Sequence, residues 1–71
     1  MKINDLKLNE EARILKVCAK ENIKRRLMDI GFIKGALVKP VLTNSSMRAY
    51  LIKGSVIGVR WEDTKDIEVV K

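Results

Sequence analysis

The sequence has no histidine, one cysteine, one proline and only three aromatic residues, one each of Phe, Tyr and Trp. Without histidine there is no Ser-His-Asp or Cys-His catalytic group and no imidazole metal ligand. With a single thiol there is neither a Cys-x-x-Cys zinc knuckle nor an intrachain disulfide. The core must therefore stand without a staple. A lone thiol fits a reducing compartment. Uninterrupted apolar runs reach about four residues, as in Ala49-Tyr50-Leu51-Ile52, whereas a bilayer span needs roughly 20. The first residues, MKINDLKLNEE, lack the apolar stretch of a signal peptide. These absences predict a soluble, cytoplasmic protein. The glycines Gly31, Gly35, Gly54 and Gly58 are scattered and no Gly-Lys-Ser or Gly-Lys-Thr element accompanies them, which excludes a phosphate loop.

What is present is enough to fold. The 71 residues are 46% hydrophobic and 34% charged, a balance that predicts one small globular domain over residues 1–71 rather than disorder. The net charge of +6 is regional: residues 13–39 carry eight basic and two acidic side chains and so hold all of it. Such a patch favours an acidic partner, whether nucleic acid, anionic lipid or protein.

Periodicity supplies the elements. Residues 12–18 alternate as a strand, but Ile14 and Val17 are three apart, which predicts a bulge. Ile23, Leu27 and Ile30 recur at i, i+4 and i+7 and predict a helix over residues 22–30, with Asn22 as N-cap and Gly31 ending it in the left-handed region. A turn at residues 32–35 leads into a strand over 36–42, in which Pro40 implies an edge or a bulge. Residues 43–46 form a polar turn. Residues 48–61 read as a hairpin closed by Gly54 and Ser55, which sets Tyr50 opposite Val59 and Ile52 opposite Ile57 on one face. A charged turn over 62–66 precedes a last strand at 67–69. The expected core includes Ile14, Val17, Ile23, Leu27, Val38, Ile52, Ile57, Val59 and Ile67. Five or six short strands with one helix are best hidden by curling, so the fold class is mainly β: a small, partly open barrel with one short inserted helix.

The residues that carry this pattern resemble the FeoA domain, an SH3-like barrel of bacterial ferrous iron uptake. Arg25-Arg26-Leu27-Met28-Asp29-Ile30-Gly31 and the turn through Lys34 and Gly35 look like that family's helix and following turn. Gly54, Ile57, Gly58, Val59 and Arg60 resemble its later strand, Ile67 and Val69 its closing strand, and Leu6, Leu8, Ala12 and Ile14 its opening. Asn9 stands where the family often has glycine, which is tolerable because Asn enters the left-handed region readily. Lys34 stands where proline is common, and Thr64 where alanine is. The resemblance implies a non-enzymatic accessory protein that binds and modulates the membrane ferrous-iron permease, FeoB, through the permease's cytosolic, guanine-nucleotide-binding region. It would be peripheral to the membrane through that partner only. Self-association stays open.

Few side chains suggest chemistry. Cys18 has no second soft ligand near it in sequence and reads as a small near-core residue. Glu10, Glu11, Glu62, Asp63, Asp66 and Glu68 fall in turns and strand ends, where solvation accounts for them. No metal site, cofactor or catalytic residue is assigned. Lys24, Arg25 and Arg26 read as a solvated helix face, as a partner-docking patch or as phosphate ligands; with Lys34 they are the candidate partner-binding cations. Met47, placed in the polar loop, and Trp61, at the end of the hairpin, are the candidate apolar anchors, with packing at the core edge as the other reading of Trp61. The alternative function is a small basic barrel binding RNA or DNA. Phe32 and Tyr50 are expected in the core, which leaves little for base stacking.

Overall fold

A computed structural model describes residues 1–71. A 3-10 turn at Ile3–Asp5 precedes β1 (Ala12–Val17), α1 (Glu21–Asp29), β2 (Leu37–Thr43), β3 (Met47–Ile52), β4 (Ser55–Arg60), the single-turn α2 (Trp61–Thr64) and β5 (Ile67–Val70). The five strands form one antiparallel sheet in the order β4-β3-β2-β1-β5. The fold is the expected one, a mainly β, partly open barrel with one short helix.

Both expected irregularities are present. The register of β1 against β5 shifts between Ile14 and Lys16, which lets Val17 turn back toward the core after Ala12 and Ile14. The register of β2 against β3 shifts between Pro40 and Leu42. On its other side β2 meets β1 only at Leu37 and Val38, so the N–H missing from Pro40 interrupts no ladder there. Asn9 adopts a φ of 68°, as its place in a glycine-like position requires.

Three local expectations are corrected. The β3–β4 hairpin closes through Lys53 (φ 51°) and Gly54 (φ 79°), not Gly54 and Ser55. Positive φ at both central residues is the primed turn whose twist suits a hairpin. The register is accordingly two residues away from the expected one: Tyr50 faces Ile57, Ile52 faces Ser55, and Val59 faces Arg48. A shift of two preserves the faces, so Tyr50, Ile52, Ile57 and Val59 still point to one side. The helix is capped at Lys20 (ψ 150°) and Asn22 lies inside its first turn, with no side chain capping the end. Met47 is the first residue of β3, not a loop residue, because the Asn44 side chain accepts bonds from the amides of Ser46 and Met47 and closes the turn one residue early.

The core is built from Ile3, Leu6, Ala12, Ile14, Leu27, Phe32, Val38, Tyr50, Ile52, Val59, Ile67 and Val69. Val17, Ile23 and Ile57 lie at its margin, half-buried. Phe32 and Tyr50 meet edge to face with ring centres 5.6 Å apart. Of α1 only Leu27 is fully buried, so one side chain pins the helix to the barrel.

The two edges of the sheet differ. Along β5 the N-terminal residues act as a partial sixth strand: Lys2 bridges Glu68, and the Val69 amide donates to the Met1 carbonyl at 2.8 Å. Along β4 nothing pairs with the outer side; the backbone of Ser55–Arg60 bonds only to β3.

Candidate functional site

The helix α1 separates two grooves. The first, about 370 Å³, runs between α1 and β4 and is lined by Ile23, Arg26, Leu27 and Ile30 from the helix, with Met47, Gly58, Val59, Arg60 and Asp63 opposite. The second, about 670 Å³, lies on the other flank. There Leu15, Val17, Met28 and Ile33 supply apolar lining, and Lys16, Lys24 and Lys34 a mostly basic set of charges broken by Glu21. Met28 and Leu15 are about half exposed, at 47% and 49%. The expected helical stripe thus serves two ends: Leu27 enters the core, whereas Ile30 is exposed and faces the first groove.

The six candidate residues do not form one patch. Residues 24, 25 and 26 lie about 100° apart around a helix, so Lys24 and Arg26 are carried to opposite flanks. Arg26 and Met47 line the first groove, Lys24 and Lys34 the second, and Arg25 is exposed beside them. Trp61 lines neither. Its indole N–H donates to the Asn44 carbonyl at 2.9 Å and its ring lies beneath the Arg48 guanidinium, 4.9 Å away. What unites the cations is the lack of acidic partners. The salt bridges join Arg60 to Glu62 and Asp63, and Lys71 to Glu10; none involves a basic residue of the segment 13–39.

Arg48 is the residue that the sequence reading missed. It is 6% exposed, and one terminal nitrogen donates to the Leu6 carbonyl. Its Nε and Nη1, and the Tyr50 hydroxyl, have no hydrogen-bond partner within the protein. Burial pushes the Tyr50 phenol above its ordinary 10.0, against the pull of Arg48 and Thr64. The parity of β3 carried the signal: Arg48, Tyr50 and Ile52 alternate on one face, so the cation had to point inward. A second polar link holds the N-terminal turn. Thr64 Oγ1 donates to Asn4 Oδ1 at 2.8 Å, and Asn4 Nδ2 donates to the Trp61 carbonyl at 3.1 Å.

No three His, Cys, Asp or Glu side chains are grouped to hold a metal ion. Cys18 is half-buried on the wall of the second groove. Glu10, whose carboxyl is held below the usual range by the Lys71 ammonium and then by the Lys7 amide, ties chain terminus to loop and faces solvent.

The model of the FeoA domain matches residues 1–71. The chain belongs to the FeoA family. Several solved structures share the fold of this FeoA domain. The FeoA protein of Chlorobium tepidum is 28% identical, with a TM-score of 0.90 over 97% of this chain and 68% of that one. The FeoA of Stenotrophomonas maltophilia, solved with zinc, is 25% identical, with a TM-score of 0.85 over 99% of this chain and 89% of that one. It is described as a prokaryotic SH3 domain protein and a candidate activating factor of ferrous iron transport. A FeoA-like protein of Clostridium acetobutylicum, 18% identical over 99% of this chain and 84% of that one, has the same fold at a TM-score of 0.87. No curated protein matches the chain. The FeoA membership and the SH3-like fold that the resemblance implied are thereby borne out, and the Stenotrophomonas relative supports the link to ferrous iron transport.

Proposed function

We propose that this FeoA domain is a non-enzymatic accessory protein of ferrous iron uptake that docks its basic side on the cytosolic region of the iron permease, FeoB, and so biases the permease's conformation. The observation that carries the proposal is the unpaired charge: eight cations in residues 13–39, none in a salt bridge, of which Arg26 lines one apolar-floored groove beside the helix and Lys16, Lys24 and Lys34 line the other. Unpaired cations steer encounter with an acidic surface, and apolar side chains beside them supply affinity once water is displaced. A bound barrel shifts the permease only if it contacts two of its states unequally. Nucleic acid is the poorer ligand. Phe32 and Tyr50 are fully buried, and the Trp61 ring is covered on one face by Arg48, which leaves at most one ring face for base stacking.

The test is the binding kinetics of wild type and Lys24→Glu/Arg25→Glu against the permease's cytosolic region at two salt concentrations, with RNA and DNA controls. The double variant should associate more slowly and with a weaker salt dependence. Its stability should change by about 1 kcal/mol or less, since Arg25 is exposed and Lys24 half-buried with no ion pair to lose. A variant that binds the permease region unchanged but loses RNA or DNA transfers the basic side to the nucleic-acid reading.

A further inference from the structure

Of the two sheet edges, only one is managed. Natural proteins blunt edge strands with lysine, proline, covering segments or extreme shortness, because an open edge is a template for another strand. β5 is covered by Met1 and Lys2. β4, Ser-Val-Ile-Gly-Val-Arg, contains neither lysine nor proline, runs for six residues, and has no backbone partner on its outer side. Val56 on this strand is 59% exposed. Alongside the open edge lies the first groove, where the apolar side chains of Ile23, Leu27 and Ile30 face Gly58 and Val59. An unpaired strand facing a helix across an apolar groove is the arrangement in which a strand-forming peptide gains main-chain hydrogen bonds from the edge and side-chain burial from the groove.

We propose that the outer edge of β4 takes an extended, acidic segment of a partner protein as an added strand, its alternate apolar side chains entering the groove between β4 and α1. The inference rests on the docking reading above and specifies its mode. The acidic character follows from Arg26, which stands on the groove wall without a carboxylate partner while Asp63 opposite is already paired with Arg60, and from a net charge of +6. The same charge disfavours a second copy of this chain as the occupant, since β4 paired with β4 would bring two Arg60 and two Arg26 side chains to one interface. A Cβ on Gly58 would meet the Met47 methyl at 3.2 Å, so the strand is narrow at this position.

The probe is a short synthetic peptide of alternating valine and glutamate, titrated into the isotope-labelled full chain by NMR, beside an analogue N-methylated at alternate residues. Expected are slowed amide exchange at alternate positions of Ser55–Arg60, peptide-to-β4 contacts along the strand, and about tenfold or greater loss of affinity for the N-methylated analogue, the equivalent of one or two net hydrogen bonds. Arg26→Glu and Ile30→Glu, both at exposed positions on the groove wall, should each weaken the parent peptide. Equal binding of the two peptides, perturbations confined to the Lys16, Lys24 and Lys34 flank, or a peptide-free dimer that protects the β4 amides would each overturn the inference. The same spectra recorded with the permease's cytosolic region separate the two readings. If that region binds on the lysine flank, docking stands and the strand-addition mode fails. If it does not bind while the peptide pairs with β4, the edge site stands and the permease reading fails.

Discussion

The Arg48 guanidinium lies over the Trp61 indole, 4.9 Å from its central carbon to the ring centre, in a domain that has one tryptophan. The pair closes the end of the barrel. Arg48 reaches the Leu6 carbonyl, Trp61 reaches the Asn44 carbonyl, and between them they tie the N-terminal turn, the β2–β3 turn and α2 to one another. A cation so placed gives a quadrupole attraction of about 0.5–2 kcal/mol. It is also a buried charge without a carboxylate.

Arg48→Ala should therefore cost about 3 kcal/mol, from lost packing on two rings and an abandoned carbonyl. Arg48→Met, which keeps the stem and removes two unpaired donors, should cost about 1 kcal/mol or less. Urea unfolding followed by tryptophan emission measures both. Folded Arg48→Ala should also shift that emission to the red, because water replaces the guanidinium over Trp61. Equal costs for the two variants would show that charge, not packing, is what the site needs.

Tyr50 gives a prediction of opposite sense. Its hydroxyl is buried and has no protein partner, so Tyr50→Phe should change stability by less than about 1 kcal/mol near neutral pH. At high pH the two proteins should separate. The folded-state pKa of Tyr50 is raised above the unfolded value, so its contribution is fully present below about pH 10 and is lost as pH rises through the folded value. Denaturation midpoints between pH 8 and 11.5 should fall more steeply for wild type than for Tyr50→Phe. Parallel curves would mean that the phenol ionises as freely folded as unfolded.

Thr64 is fully buried and its hydroxyl holds Asn4. Thr64→Ala leaves the Asn4 oxygen without its donor and should cost about 1–3 kcal/mol, with faster amide exchange in the turn Ile3–Asp5 before the sheet opens. Unchanged exchange there would place the N-terminal turn's anchorage in Ile3 and Leu6 instead.

Legibility from sequence followed the type of signal. Alternation and the 3.6-residue stripe located every strand and the one helix of any length, because each strand has one buried face and Leu27 must be buried. The same alternation put the hairpin's four apolar residues on one face while missing its register, because a slip of two residues leaves faces unchanged and only the turn decides. That turn uses Lys53 at positive φ, which no propensity favours over Gly54-Ser55. The candidate cations were found as a run in sequence. Their division between two grooves follows from helical rotation about a helix pinned at one point, and the pocket opposite Arg26 needs Met47, Gly58 and Arg60 from strands far along the chain. Arg48 was legible from the parity of its strand, but a buried cation without a carboxylate runs against the ordinary expectation for charge.

Metal binding should be weak. No three ligating side chains converge, and the groove that Cys18 lines holds three lysines against one carboxylate, Glu21, a balance that repels a cation. Ferrous and zinc ions should dissociate on dialysis from wild type and Cys18→Ser alike. A stoichiometric metal retained by wild type and released by Cys18→Ser would assign a site to the second groove.

The hairpin turn gives the sharpest test of how the register is set. Lys53 and Gly54 both occupy the left-handed region, at φ 51° and 79°. Nothing lies within 4 Å of a Cβ built on Gly54, so any cost of Gly54→Ala is conformational and should be about 1–2 kcal/mol. Lys53 already bears part of that cost. Asparagine tolerates the left-handed region better than lysine, and Asn-Gly is the preferred pair for this turn, so Lys53→Asn should stabilise the domain by about 0.5 kcal/mol. Since Lys53 is exposed, no lost contact offsets the gain. Chemical denaturation of the two variants against wild type measures both signs. If Lys53→Asn were destabilising while Gly54→Ala still cost as much, the turn would have moved to Gly54-Ser55, whose first residue also needs positive φ, and Tyr50 would face Val59. Cross-strand NMR contacts from Tyr50 to Ile57 or to Val59 distinguish those registers directly.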